Sequence, residues 1–150
     1  MPWMYLHWSL PVLEWFSPVL EGFLLGLLAL VLHELGHALA ATIVGVRVKG
    51  IGLDWKGLYL RREAGTPAKN LIISAAGPLT NILLVTFWAW WPMFGLANAC
   101  YALFNMLPLP GADGERVMRC WLEIKTVRTS PKPAVRACDG NGEERRRSAG

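Results

Sequence analysis

The sequence predicts an all-α integral membrane protein with about three transmembrane segments and a small interfacial β-hairpin between the first and second. Three observations predict it. The chain of 150 residues is 53% hydrophobic and only 17% charged, a balance suited to lipid. All fifteen Lys and Arg fall in two blocks, Arg47 to Lys69 and Arg116 to Arg147, and the first 46 residues contain none. Long apolar stretches lie before, between and after these blocks. Basic blocks beside apolar spans are the signature of membrane topology, so nucleic acid is not an expected partner despite the formal charge of +4. The length suffices for one compact domain.

Each element follows in order. Residues 1–18 are rich in Pro and Trp, which argues against a regular span, and they lack the basic start of a cleavable signal, so an interfacial segment is expected. Val19 to Val44 exceeds the roughly 20 apolar residues that cross a bilayer and forms the first span. Val46 to Arg62 alternates apolar and polar side chains around the turn signal Asp54-Trp55-Lys56-Gly57, which predicts a β-hairpin at the interface. The hairpin is either a structural flap or an edge that receives an unwound substrate as an added strand. Leu71 to Trp91 is the second span, with Gly77-Pro78 expected to kink it. Phe94 to Leu109 returns as a third, shorter and irregular passage. Arg116 to Ile124 is expected to form a short amphipathic helix, with Val117, Trp121 and Leu122 toward the membrane. The membrane core is therefore 19–124, and 125–150, rich in Pro, Gly and charge, is expected to be a disordered cytoplasmic tail.

Orientation follows from charge. The basic loop at 47–69 and the tail lie inside under the positive-inside rule, so the N-terminus lies outside. Two tryptophan groups, Trp3, Trp8 and Trp15, then Trp88, Trp90 and Trp91, fall at the same outer interface. The expected location is a prokaryotic cell membrane. Gly22 and Gly26 form a G-x-x-x-G pattern that fits close packing within the chain or between copies, so an oligomer is compatible with it.

Inside the first span stands His33-Glu34-Leu35-Gly36-His37. Ionisable residues at bilayer depth mark a functional site. Residues four apart share a helix face, so His33 and His37 can offer two imidazole nitrogens to one metal, with Glu34 beside them to take a proton from water. Zinc at such a site lowers the pKa of water toward ~7, which permits amide hydrolysis. The alternative is a pair of core histidines bonded to backbone carbonyls. His33 lies about 21 Å along the helix from Val19, which puts the site nearer the cytoplasmic face and implies a polar cavity opening to the cytoplasm.

Such a site needs a third protein ligand. The chain has three aspartates, Asp54, Asp113 and Asp139. Asp54 sits in a turn and Asp139 in the tail. Asp113 follows Pro108 and Pro110, whose broken backbone is tolerated at membrane depth only where it lines a cavity or is buried in protein. Asp113 is therefore the candidate, the alternative being an N-cap of the next helix with Glu115 following. The cysteines (Cys100, Cys120, Cys138) show no paired spacing, so neither a disulfide framework nor a cysteine metal site is expected.

His33-Glu34-Leu35-Gly36-His37, then Ala76-Gly77-Pro78-Leu79-Thr80-Asn81, then Asn105-x-x-Pro108-x-Pro110-x-x-Asp113-Gly114 together resemble the site-2 protease family of intramembrane zinc metalloproteases (M50 type), over roughly residues 20–122. The resemblance implies one zinc ion held by His33, His37 and Asp113, Glu34 as catalytic base, and cleavage of a transmembrane or membrane-bound protein substrate. It suggests that Asn81 holds substrate or polarises its carbonyl as an oxyanion donor; an interhelical hydrogen bond is the alternative. Asn105 is expected to order the broken segment through backbone hydrogen bonds. Two positions depart from the family pattern: Ala112 replaces the usual Leu before the aspartate, and Glu115 replaces a second Gly after Asp-Gly. That second carboxylate either competes for the metal or is solvated. Lacking room for a PDZ domain, the chain is expected to be a minimal core. Competing readings are a catalytically inactive relative that binds membrane segments, which the presence of all four core residues argues against, and a zinc transporter or sensor, for which no internal repeat is found.

Overall fold

The computed structural model describes the backbone of residues 3–54 and 57–129, and the side chains of 17–50, 52 and 60–127. Within that range the chain is mostly helical, with four helices and one two-stranded antiparallel sheet.

Helix α1 spans Trp3–Ile43. It begins well before Val19, where the first regular span was expected to start. Each of Pro11 and Pro18 removes one i→i−4 bond, but good helix formers around them carry the helix through. At 1.5 Å per residue, α1 is about 60 Å long, twice the hydrocarbon thickness. Among the described side chains, the stretch of it long and apolar enough to cross a membrane is Ser17–Ile43. The helix ends at Gly45, whose φ of 68° is open to glycine at no steric cost. Gly45 N–H donates to Thr42 (3.1 Å) and Val46 N–H to Ala41 (2.8 Å), the paired bonds of a Schellman cap. The cap turns Val46 back onto Ala40 and Ala41, where Ile73 joins them in a small apolar core.

Strands β1 (Val48–Asp54) and β2 (Gly57–Arg62) form the expected hairpin, with Asp54 paired to Gly57 across the turn. Trp55 and Lys56, at the predicted turn, lie outside the described residues. The register slips between Val48 and Gly50, leaving Lys49 as the extra residue of a bulge.

Helix α2 (Pro67–Leu84) starts where Thr66 caps the Lys69 N–H and Pro67 pre-sets the first turn. It tightens into a 3₁₀ turn at Val85–Ala89, and Pro67–Ala89 together form the second stretch apolar enough to span. Helix α3 (Pro92–Met106) is too short to qualify as a third by the same measure, so two candidate spans are found among the described residues where about three were expected. Leu107, held extended by the following proline, ends α3. Helix α4 (Asp113–Thr129) is longer than the expected 116–124 at both ends. The rest of the expected tail, Arg145 to Arg147 included, lies outside the described residues.

Polarity is inverted relative to a water-soluble fold. The buried set includes His33, His37, Asn70, Ser74, Asn81, Asn98 and Asp113, while Phe23, Leu39, Leu83 and Trp90 are 64–75% exposed. Small residues let α1 and α2 approach closely: a Cβ on Gly36 would lie 2.3 Å from Thr80 Oγ1.

Candidate metal centre

One helical turn of α1 presents His33 and His37 on its inner face. The loop after α3 then returns the chain, and the first residue of α4 places Asp113 opposite them. Asp113 Oδ2 lies 2.9 Å from His33 Nε2 and 3.0 Å from His37 Nε2, and the two Nε2 atoms are 3.1 Å apart. All three side chains are buried. They are the only such group among the described residues positioned to bind a metal ion.

The donor chemistry fits a cation. His37 Nδ1–H donates to the Ile73 carbonyl at 2.6 Å, so in the neutral ring Nε2 carries a lone pair. That lone pair faces the Asp113 carboxylate oxygen, acceptor against acceptor. A single proton on His33 Nε2 leaves this contact unsatisfied, whereas one cation satisfies all three atoms. Tetrahedral ligands at ~2.0–2.1 Å from zinc stand about 3.3 Å from one another, close to the triangle seen here.

Neighbouring elements hold the triangle. The backbone of α2 crosses directly over it at Gly77, where a Cβ would sit 2.3 Å from His37 Nε2 and 2.7 Å from His33 Nε2. Gly114 admits the end of α3 in the same way, since its Cβ would meet the Met106 carbonyl at 2.3 Å. Arg116 Nη1 donates to Asp113 Oδ1 at 3.2 Å and anchors the second carboxylate oxygen. The motif reading did not single out Arg116, yet its place three residues after Asp113 on a helix is the signal that could have found it.

The other sequence candidates fall in several places. Glu34 is half-buried, one residue from His33, outside the converging donors but within electrostatic reach of both histidines, Asp113 and Arg116. Asn81 is fully buried, its amide nitrogen 3.3 Å from His33 Nδ1. Asn105 donates to the Tyr101 carbonyl within its own helix (3.0 Å). Asp54 stays at the hairpin turn, and Asp139 lies outside the described residues. Glu115 accepts from the Gly111 N–H at 2.8 Å and pairs with Arg119. The Gly111 bond and the Arg119 charge hold its carboxyl below the usual range, so Glu115 caps α4 and is not among the converging donors. Beside the triangle lies a cavity of about 580 Å³, lined by Pro78, Leu79, Asn105, Met106, Gly114 and Trp121 among others. Pro78 and Gly114 each adjoin a residue of the metal site.

Comparison with known proteins agrees with this geometry. The M50B-like peptidase family matches residues 5–109. The chain belongs to that family. The match ends before Asp113, so the third donor rests on the geometry. Among similar proteins, Rip3 of Mycobacterium tuberculosis is 32% identical over 133 residues, covering 75% of this chain and 33% of that protein. Sll0528 of Synechocystis sp. is 32% identical over 107 residues, covering 61% of this chain and 28% of that protein. Rip2 of Mycolicibacterium smegmatis is 24% identical over 148 residues, covering 68% of this chain and 57% of that protein. All three carry zinc metalloprotease in their names. The chain spans about a third of the first two relatives and somewhat over half of the third.

Proposed function

We propose that this M50 peptidase chain is an intramembrane zinc metalloprotease acting on transmembrane or membrane-bound protein substrates. The observation that carries the proposal is the buried triangle of His33, His37 and Asp113, three donors within 3.1 Å of one another, the two histidines on a helix whose outer face is apolar. A zinc ion held there would supply Lewis acidity, polarising a peptide carbonyl and making water acidic enough to lose a proton near neutral pH. Glu34, adjacent to the triangle, takes the proton from the attacking water and delivers it to the leaving amine nitrogen. The apolar cavity beside Pro78 and Gly114 accommodates side chains of a lipid-soluble substrate next to the scissile bond. The hairpin edge offers backbone groups to an unwound segment.

The inverted polarity supports a lipid setting, since exposed Leu, Phe and Trp cost nothing in hydrocarbon and the polar groups are enclosed. We place the N-terminus outside and the site opening to the cytoplasm, following the positive loop at 47–69. Single cysteines at Ser9 and Ser130, in a chain stripped of native cysteines, report this with an impermeant maleimide on intact cells: Ser9 is expected to label from outside and Ser130 only after lysis. The reverse pattern inverts the topology. The activity itself is tested by metal analysis of the purified chain together with cleavage of a model transmembrane peptide. Stoichiometric zinc with chelator-sensitive cleavage is expected; absence of both defeats the proposal.

A further inference from the structure

Asn81 is fully buried, and its Oδ1 has no hydrogen-bond partner among the described residues. An orphaned buried carbonyl oxygen costs ~1–3 kcal/mol and calls for a reason. Its amide nitrogen, 3.3 Å from His33 Nδ1, can only donate. In that arrangement His33 Nδ1 accepts, and the single proton of the neutral ring sits on Nε2, aimed at Asp113 Oδ2. A protonated Nε2 cannot ligate a metal. Turning the Asn81 amide by half a revolution exchanges its oxygen and nitrogen with little change in shape. Oδ1 then accepts from His33 Nδ1–H, and the Nε2 lone pair faces the same point as His37 Nε2. His37 already has this arrangement, since the Ile73 carbonyl fixes its proton on Nδ1.

We propose that Asn81 is a positioning residue for the metal, turning its amide oxygen to His33 Nδ1–H when the metal binds and so selecting the ligating tautomer. This rests on the metal-site reading above and deepens it. It gives the amide oxygen a different task from the oxyanion donation that the sequence resemblance suggests, which would use the amide N–H. Outer partners of this kind typically change metal affinity ~10–100-fold.

The test is zinc affinity, measured by competition with a chromophoric chelator on detergent-purified chain, with helix content as the folding control. Asn81→Leu is expected to weaken zinc binding ~10–100-fold, and Asn81→Asp, which keeps an acceptor oxygen, to stay within about threefold of the unaltered chain. Unchanged affinity in Asn81→Leu overturns the proposal, as does equal loss in Asn81→Asp. Should Asn81→Leu not fold, ¹⁵N-histidine NMR of the unaltered zinc-loaded chain decides. His33 Nδ1 is expected to carry the proton, and an unprotonated Nδ1 overturns the proposal. Resonances are assigned with a His7→Gln variant, since the chain has three histidines. Failure of the unaltered chain to bind zinc defeats the metal-site reading itself, and is thereby distinguished from failure of the Asn81 role.

Discussion

Two buried polar clusters sit one above the other against α2, and they differ in one respect. Around Asn70, the amide nitrogen donates to the Gly65 carbonyl at 3.0 Å and the amide oxygen accepts from Arg62. Every side-chain polar atom of Asn70 is used, and the result is a joint that ties the end of β2 to the start of α2. Around His33, two acceptors face each other across 3.0 Å and Asn81 Oδ1 has no partner. A buried polar group is costly unless satisfied. The first cluster is satisfied by the protein itself and is structural. The second is left incomplete in a way that one cation completes. Between these two clusters burial is alike and hydrogen-bond completeness differs.

The largest effect expected is from Asp113→Ala. It removes the charged donor of the incomplete cluster, so metal binding should fall by more than the ~10–100-fold typical of outer partners, and cleavage should vanish with it. Asp54→Ala, at the hairpin turn, should leave metal content unchanged. Retained zinc affinity in Asp113→Ala would break the comparison at its root. Next comes Glu34→Gln, which leaves all three donors in place. Metal content should stay near one per chain while cleavage drops ~10²–10⁴-fold, the usual contribution of general acid–base work. Gly77→Ala should act more weakly, forcing a methyl against His37 Nε2 at a cost of ~1–3 kcal/mol, seen as weaker metal binding in the folded protein. The smallest effect belongs to the complete cluster: Asn70→Ala leaves the Gly65 carbonyl and Arg62 without this partner and should lower thermal stability by roughly 1–2 kcal/mol, with zinc affinity unaltered. If Asn70→Ala lost metal as well, the two clusters would be one coupled unit.

Much of the fold was legible because its signals are local. Apolar runs mark the helices and the alternation after Val46 a hairpin, whereas α2 starts at Pro67 and not at the expected Leu71. The helical start at Trp3 was not, since Pro11 and Pro18 argue for a break that the surrounding helix formers override. The irregular end of the third passage was legible in Pro108 and Pro110, and the chain turns extended at Leu107. Arg116 was missed as part of the site's frame because a charged pair on a helix reads the same whether it faces solvent or a carboxylate.

The sequence alone determined that His33 and His37 share one helix face with Glu34 between them, because i and i+4 are neighbours in any α-helix. It also determined that polar residues were few enough for each buried one to matter. The sequence nominated Asp113, but only the tertiary structure brings it against both histidines, since the contact closes over 80 residues of chain and depends on how the Pro108–Pro110 loop is aimed. It likewise decided the tautomer of His37, through the Ile73 carbonyl of α2, and brought the Asn81 amide to His33 Nδ1. The need for Gly77 came from the same source, because clearance between two helices is a property of their packing and appears in neither helix by itself.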